Sequence, residues 1–165
     1  MFKHLLVPLD GSHLAEAALP AAMELAAQFN SEITLLRVTR VPYIATGMDG
    51  TSYADLIVNL RQQEHDEAEA YLRGLQGSLQ QQGFTVHRHV MEGEGVAQIV
   101  LGIADTQHAD TIVMSTHGRG GVSRWVFGSV ADKVLRHADI PVVLIRATEE
   151  AIEWELPDTL EKVAI

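Results

Sequence analysis

Leu5-Leu6-Val7-Pro8-Leu9-Asp10-Gly11-Ser12 is an apolar run cut short by three turn-forming residues. Such a run, bounded by turn signals, suits a strand buried on both faces. Asp-Gly-Ser ends it, and Ser12 is placed to cap a helix. Over about 13–29, Ala18, Ala22, Leu25, Ala26 and Phe29 then recur at helical spacing and form one apolar stripe. Pro20 falls inside that stripe, where the missing N–H predicts a bend or a late start.

The same alternation continues outward from this first strand and helix. Residues 33–38 read as a second strand, followed by a loop over 40–52 with Pro42, Gly47 and Gly50. A polar helical stretch runs from about 52 to 82, with Tyr53, Leu56, Ile57, Leu60, Ala68, Tyr71, Leu72, Leu75 and Leu79 as its inner face. Gly83 is its natural stop. Residues 85–91 read as a third strand, and Gly93-Glu94-Gly95 as the entry to a helix bearing Val96, Ile99, Val100 and Ile103. Residues 111–114 and 140–145 supply a fourth and a fifth strand. A glycine-rich loop and a helix with Val130, Val134, Leu135 and Ala138 on one face lie between them. Strands alternating with helices imply an α/β fold with a mainly parallel sheet, doubly wound. The apolar runs of the first, fourth and fifth strands predict strands covered on both faces. Ligands of such sheets bind beyond the carboxyl ends of the strands, where the winding reverses.

Composition narrows the classes of function. At 165 residues, with 47% apolar and 21% charged residues, the chain fits one globular domain. The absence of cysteine excludes a disulfide scaffold, thiolate zinc sites, iron–sulfur clusters and cysteine catalysis. Twelve Lys and Arg face 22 Asp and Glu, a net charge of −10, so a nucleic-acid backbone should repel the chain. No apolar run approaches the roughly 20 residues that span a bilayer, and no membrane association is expected. The first ten residues do not read as a signal peptide, and the expected location is the cytoplasm. Residues 147–165 form an acidic tail with six acidic residues, one Lys and Trp154, expected as a separate segment after a domain over 1–146.

The strongest local signal runs from Ser115-Thr116-His117-Gly118-Arg119-Gly120-Gly121 through Val122-Ser123-Arg124-Trp125-Val126-Phe127 to Gly128-Ser129. It leaves the fourth strand and enters a helix. Glycines let backbone N–H groups turn toward a ligand, and a helix start adds free N–H groups that favour an anion. Arg119 and Arg124 add positive charge, so the loop reads as a phosphate cradle. It has neither the Gly-Lys-Ser/Thr ending of a P-loop nor a G-x-G-x-x-G fingerprint. If the first and fourth strands are neighbours, Asp10 faces the same crevice, where its carboxylate can accept from ribose hydroxyls. Its alternative role is to cap a turn or the first helix.

With Val7-Pro8-Leu9-Asp10-Gly11-Ser12, the strand at 109–114, the glycine loop and Gly128-Ser129-Val130-Ala131-Asp132-Lys133, the chain resembles the universal stress protein family over about 1–146. The resemblance is to the nucleotide-binding branch, whose signature is Gly, two residues, Gly, nine residues, Gly, then Ser or Thr. Gly118, Gly128 and Ser129 fit it, while Ser115 stands where the first glycine would be. The resemblance implies a five-stranded parallel sheet of order 3-2-1-4-5 and an ATP, ADP or AMP ligand, with Mg2+ held mainly by the phosphates. It implies that Asp10 holds the ribose, that the backbone at Val38 meets the adenine, and that Gly118, Gly128 and Ser129 contact the phosphates. Val130 would offer a helix N–H, and Ser115 would lie beside ribose and phosphates. Pro8, Leu9, Met114, His117 and, by its charge and position, Arg119 complete the expected set. A homodimer through the last strand is implied as well.

Other candidates are weaker. His87 and His89 share one face of a strand, a metal-binding spacing without a third ligand nearby in sequence. Ser123 and Ser129 show no Ser–His–Asp arrangement. Glu64, Asp66, Glu67 and Glu69 read as the solvated face of the long helix. The expected function is nucleotide-dependent conformation or partner choice in a stress or signalling role, with an as yet unidentified protein partner. Its rivals are a slow ATPase and a dimeric scaffold without nucleotide.

Overall fold

The computed structural model of the chain describes residues 1–40, 50–116 and 128–146, with residues 50–53 described by backbone alone. Strand β1 (His4–Leu9) leads into helices α1 (His13–Glu16) and α2 (Ala18–Phe29), then strand β2 (Glu32–Thr39). Helix α3 (Gly50–Gln81), strand β3 (Thr85–Glu92), helix α4 (Val96–Thr106) and strand β4 (Thr111–Ser115) follow. Helix α5 (Ser129–His137) and strand β5 (Val142–Ile145) end the described chain. The five strands form one parallel sheet in the order β3-β2-β1-β4-β5. The doubly wound architecture and the strand order both match expectation.

Strand alternation divides the core in two. Leu5, Val7 and Leu9 of β1, with Ile33 and Leu35 of β2, meet Leu19 and Ala22 of α2 and Leu72, Leu75 and Leu79 of α3. Leu6, Leu36, Ile112 and Met114 face the other way, onto Val100 and Ala104 of α4 and Ala131 and Val134 of α5. Among the described residues, no helix is long and apolar enough to cross a membrane.

The proline in the first helical stretch marks a late start. The chain breaks at Ala17 between α1 and α2, and Pro20 becomes the third residue of α2. The N–H it lacks there would have had no partner within the helix. Ser12 caps α1 by accepting from the Ala15 N–H at 3.2 Å. Gly83 ends α3 at a φ of +92°, a left-handed conformation suited to glycine.

Two expectations need correction. Leu135 is 44% exposed, and Ala131 takes its place on the inner face of α5. Phe29 is 40% exposed and packs its ring on Phe2 at 5.1 Å instead of entering the core. Strand β5 is the sheet edge and is half-buried at all four positions, with Val143 and Ile145 packed on one core and Val142 and Leu144 on the other, so it has cover on both faces as expected. Asp66 and Glu67 are exposed on α3 as expected and accept from Gln62 and Gln63 one turn earlier, whereas Glu69 is half-buried and pairs with Arg88 of β3 at 3.1 Å.

Candidate functional site

The carboxyl ends of the central strands separate. β1 pairs with β2 along its whole length, from His4–Glu32 to Leu9–Arg37. With β4 it pairs only at Leu5–Thr111 and Leu6–Ile112. Beyond Leu6 and Ile112 the two strands no longer pair with each other, and each continues beside its outer neighbour, β1 to Leu9 and β4 to Ser115. This is the switch point, since β1 connects leftward to β2 and β4 rightward to β5.

One wall of the crevice is the turn after β1. Asp10 Oδ1 accepts from the Ser12 N–H at 3.0 Å and from the Ser12 hydroxyl at 2.6 Å. The carboxylate therefore caps a turn, as one sequence reading held, and does so at the mouth of the crevice, as the other required. Gly11 sits within this turn at a φ of +80°, and a methyl group there would come within 3.1 Å of Arg37 Nη1. The positive φ favours glycine, and the close approach of Arg37 adds to that preference.

The start of α5 follows at the carboxyl end of the neighbouring strand β4. Gly128 is its N-cap and brings no side chain, so no side-chain cap closes the first turn. Ser129 and Val130 follow as the first helical residues, where N–H groups lack intrahelical partners and the dipole favours an anion. Gly128 donates its N–H to the Thr116 carbonyl at 2.8 Å, and the Thr116 N–H donates to the Ile145 carbonyl at 2.8 Å. One residue thus ties the end of β4, the end of β5 and the start of α5 together.

The remaining expected residues divide by face. Met114 is buried in the core under α4 and α5, Val38 packs against that core, and by strand alternation Pro8 points the same way. Leu9 is buried in the opposite core, so only its backbone can line the crevice. Ser115 is buried and, two residues after Val113, turns toward the face of Leu9. His117, Gly118 and Arg119 lie outside the described residues, as do Arg124, Ser123 and the tail over 147–165.

Sequence reading missed Arg37. It is 8% exposed at the carboxyl end of β2, with its guanidinium 5.1 Å above the Tyr71 ring. Tyr71 donates to the buried Glu16 at 2.7 Å. Burial, reinforced by Glu16, pushes the Tyr71 phenol far above its usual pKa and keeps it a donor. The one available signal was a charged residue inside an apolar strand.

The histidines of β3 form an open strip at the far edge of the sheet. His87 Nε2 lies 3.1 Å from Glu32 Oε2, and the His87 and His4 rings stand 6.4 Å apart. Burial holds His4 below its usual pKa, against the pull of Glu32. Among the described residues, no group of three His, Cys, Asp or Glu is placed to hold a metal ion.

Comparison with known proteins converges on one group. The sequence model of the Universal stress protein family matches residues 1–146. Universal stress protein MJ0531 of Methanocaldococcus jannaschii is 31% identical over 147 residues, covering 88% of this chain and 83% of its own. The structure of universal stress protein UspA from Lactobacillus plantarum superposes with a TM-score of 0.76 at 23% identity, over 88% of this chain and 98% of that one. A universal stress protein solved in complex with cAMP superposes at 0.54 with 20% identity, over 88% of this chain and 98% of that one.

Proposed function

Because the chain belongs to the universal stress protein family, we propose that residues 1–146 bind an adenine nucleotide. ATP is the first choice and ADP or AMP the alternatives, with Mg2+ carried mainly by the phosphates. The observation that carries this reading is the crevice where β1 and β4 part, with a carboxylate at the end of one strand and an open helix start at the end of the other. The two features suit the two ends of a nucleotide. Asp10 accepts from ribose hydroxyls, while the N–H groups of Ser129 and Val130 meet phosphate oxygens beside Gly128. Pro8, Val38 and Met114 offer the adenine an apolar seat on the α4 face. His117, Gly118 and Arg119 belong to the same phosphate-binding loop. A universal stress protein solved with cAMP lends support to an adenine nucleotide as the ligand class. Ser115, in place of a glycine, turns its side chain away from the Met114 face, so it leaves the adenine seat unobstructed.

The protein acts in this reading as a cytoplasmic stress or signalling factor whose conformation or partner choice follows the bound nucleotide. It works as a homodimer paired through the edge strand β5, with the acidic tail over 147–165 as a separate segment. Four consecutive apolar residues on an open edge would otherwise invite aggregation.

The test begins with protein purified without added nucleotide, denatured, and assayed for released small molecules by mass spectrometry. Near one ATP, ADP or AMP per chain is the supporting outcome. For an empty preparation, ATP with magnesium at about 100 times Kd should add about 2.7 kcal/mol of stability. No rise in Tm at millimolar ATP would overturn the reading and favour a scaffold without nucleotide. Steady magnesium-dependent phosphate release would shift it toward a slow ATPase.

A further inference from the structure

A buried cation needs a reason. Arg37 stands among apolar residues of β2, nine-tenths buried, and among the described residues no carboxylate forms an ion pair with it. Its desolvation is offset by the face of the Tyr71 ring and, at longer range, by Glu16 hydrogen-bonded to that ring's hydroxyl. The guanidinium also meets the Gly11 turn so closely that a single added carbon would come within 3.1–3.3 Å of three of its atoms. Strand register places Arg37 beside Leu9, the residue just before Asp10. The planar guanidinium fills the space between turn and ring, which a lysine ammonium on a flexible stem would not do.

We propose that Arg37 is a positioning residue: wedged between the Gly11 turn and Tyr71 on the α3 side of the sheet, it fixes the Asp10 carboxylate for ribose hydroxyls on the crevice side. The ribose part of this role rests on the nucleotide reading above. The next residue, Val38, faces the adenine seat, so adjacent positions of one strand serve the two faces of the site.

Two measurements on Arg37→Met test the inference. The first compares ATP with 2′,3′-dideoxy-ATP, which lacks both ribose hydroxyls, by calorimetry. Wild-type protein should prefer ATP by about tenfold, the scale of one hydrogen bond to a charged group. Arg37→Met should reduce that preference to about twofold and leave dideoxy-ATP affinity nearly unchanged. Equal weakening of both ligands, or an unchanged preference, would overturn the proposal, because a general structural role moves both alike.

The second measurement needs no ligand. The Ser12 amide is bonded to Asp10 Oδ1, so its hydrogen exchange reports the turn itself. In Arg37→Met it should exchange about tenfold faster while the strand amides of Leu5 and Leu6 hold their rates, as a local opening requires. An unchanged Ser12 amide, or uniform acceleration of all three, would overturn the positioning role. If the wild-type protein binds neither nucleotide at millimolar concentration, the ribose assignment falls with the nucleotide reading. The exchange rates still decide whether Arg37 sets the turn.

Discussion

At Gly11 the backbone and a neighbouring side chain make the same demand. A φ of +80° disfavours any side chain, and the Arg37 guanidinium would have to shift by a few tenths of an ångström to admit one. Gly11→Ala should therefore destabilise the fold by about 1–3 kcal/mol, the cost of a strained left-handed residue, read from the urea midpoint. Tyr71 offers a second test. Tyr71→Phe keeps the ring under Arg37 but strips buried Glu16 of the hydroxyl that satisfies it. The loss should be about 1–3 kcal/mol, since a buried acceptor is left short of a donor. The Asp-Gly-Ser turn was legible in sequence because its chemistry is local. The Arg37–Tyr71–Glu16 chain was not, because its members come from three elements that only the folded sheet brings together.

Helix α5 carries a prediction of a different kind. Gly128 has φ −54° and ψ 146°, angles any residue adopts, so its backbone conformation does not call for glycine. Gly128→Leu should leave Tm within a few degrees of wild type, as substitutions free of strain usually do, yet weaken ATP binding at least about tenfold. Undiminished affinity in calorimetry would remove α5 from the site.

The opposite end of the sheet carries a carboxylate whose contribution to stability depends on pH. Asp110, at the start of β4, is 32% exposed; it accepts from the Lys3 N–H at 2.9 Å and from the Thr111 hydroxyl at 3.0 Å, and lies 3.7 Å from the N-terminal ammonium. Burial alone would raise its pKa; these donors, the ammonium and the His4 N–H together bring it below the usual carboxylate value. A folded-state pKa below the unfolded one adds stability above about pH 4 and loses it as pH falls through the folded value. Asp110→Asn should thus cost about 1 kcal/mol at pH 7, and the gap to wild type should close toward pH 3 in urea titrations. Helical periodicity located α5 but misjudged its inner face by one position. Val130, Val134 and Leu135 were the apolar choice, whereas the small Ala131 fits the close approach to α4.

For the whole molecule, the alternation of strands and helices was enough to read a doubly wound sheet. The order of the strands was not, since local pattern says nothing of which strands lie side by side; it came with the family resemblance. The same limit applies to the site. Asp10 and Gly128-Ser129 stood out as turn and helix-start chemistry. The parting of β1 from β4 between them is a property of the sheet and has no signature in either segment. The proposed β5 pairing belongs to this scale too. Light scattering at micromolar concentration should give twice the mass of 18.1 kDa, and Val143→Lys should return it to one chain. A wild-type mass of one chain would remove the dimer.

The bond between Thr116 and Gly128 makes the intervening stretch a cassette. The two residues that flank it are already held together, and the tie to Ile145 fixes that junction in the sheet. Replacing what lies between them changes the closure entropy only slowly, by about 0.6 kcal/mol for each doubling of length. Exchanging the residues between Thr116 and Gly128 should therefore change the stability of the five-stranded sheet only slightly.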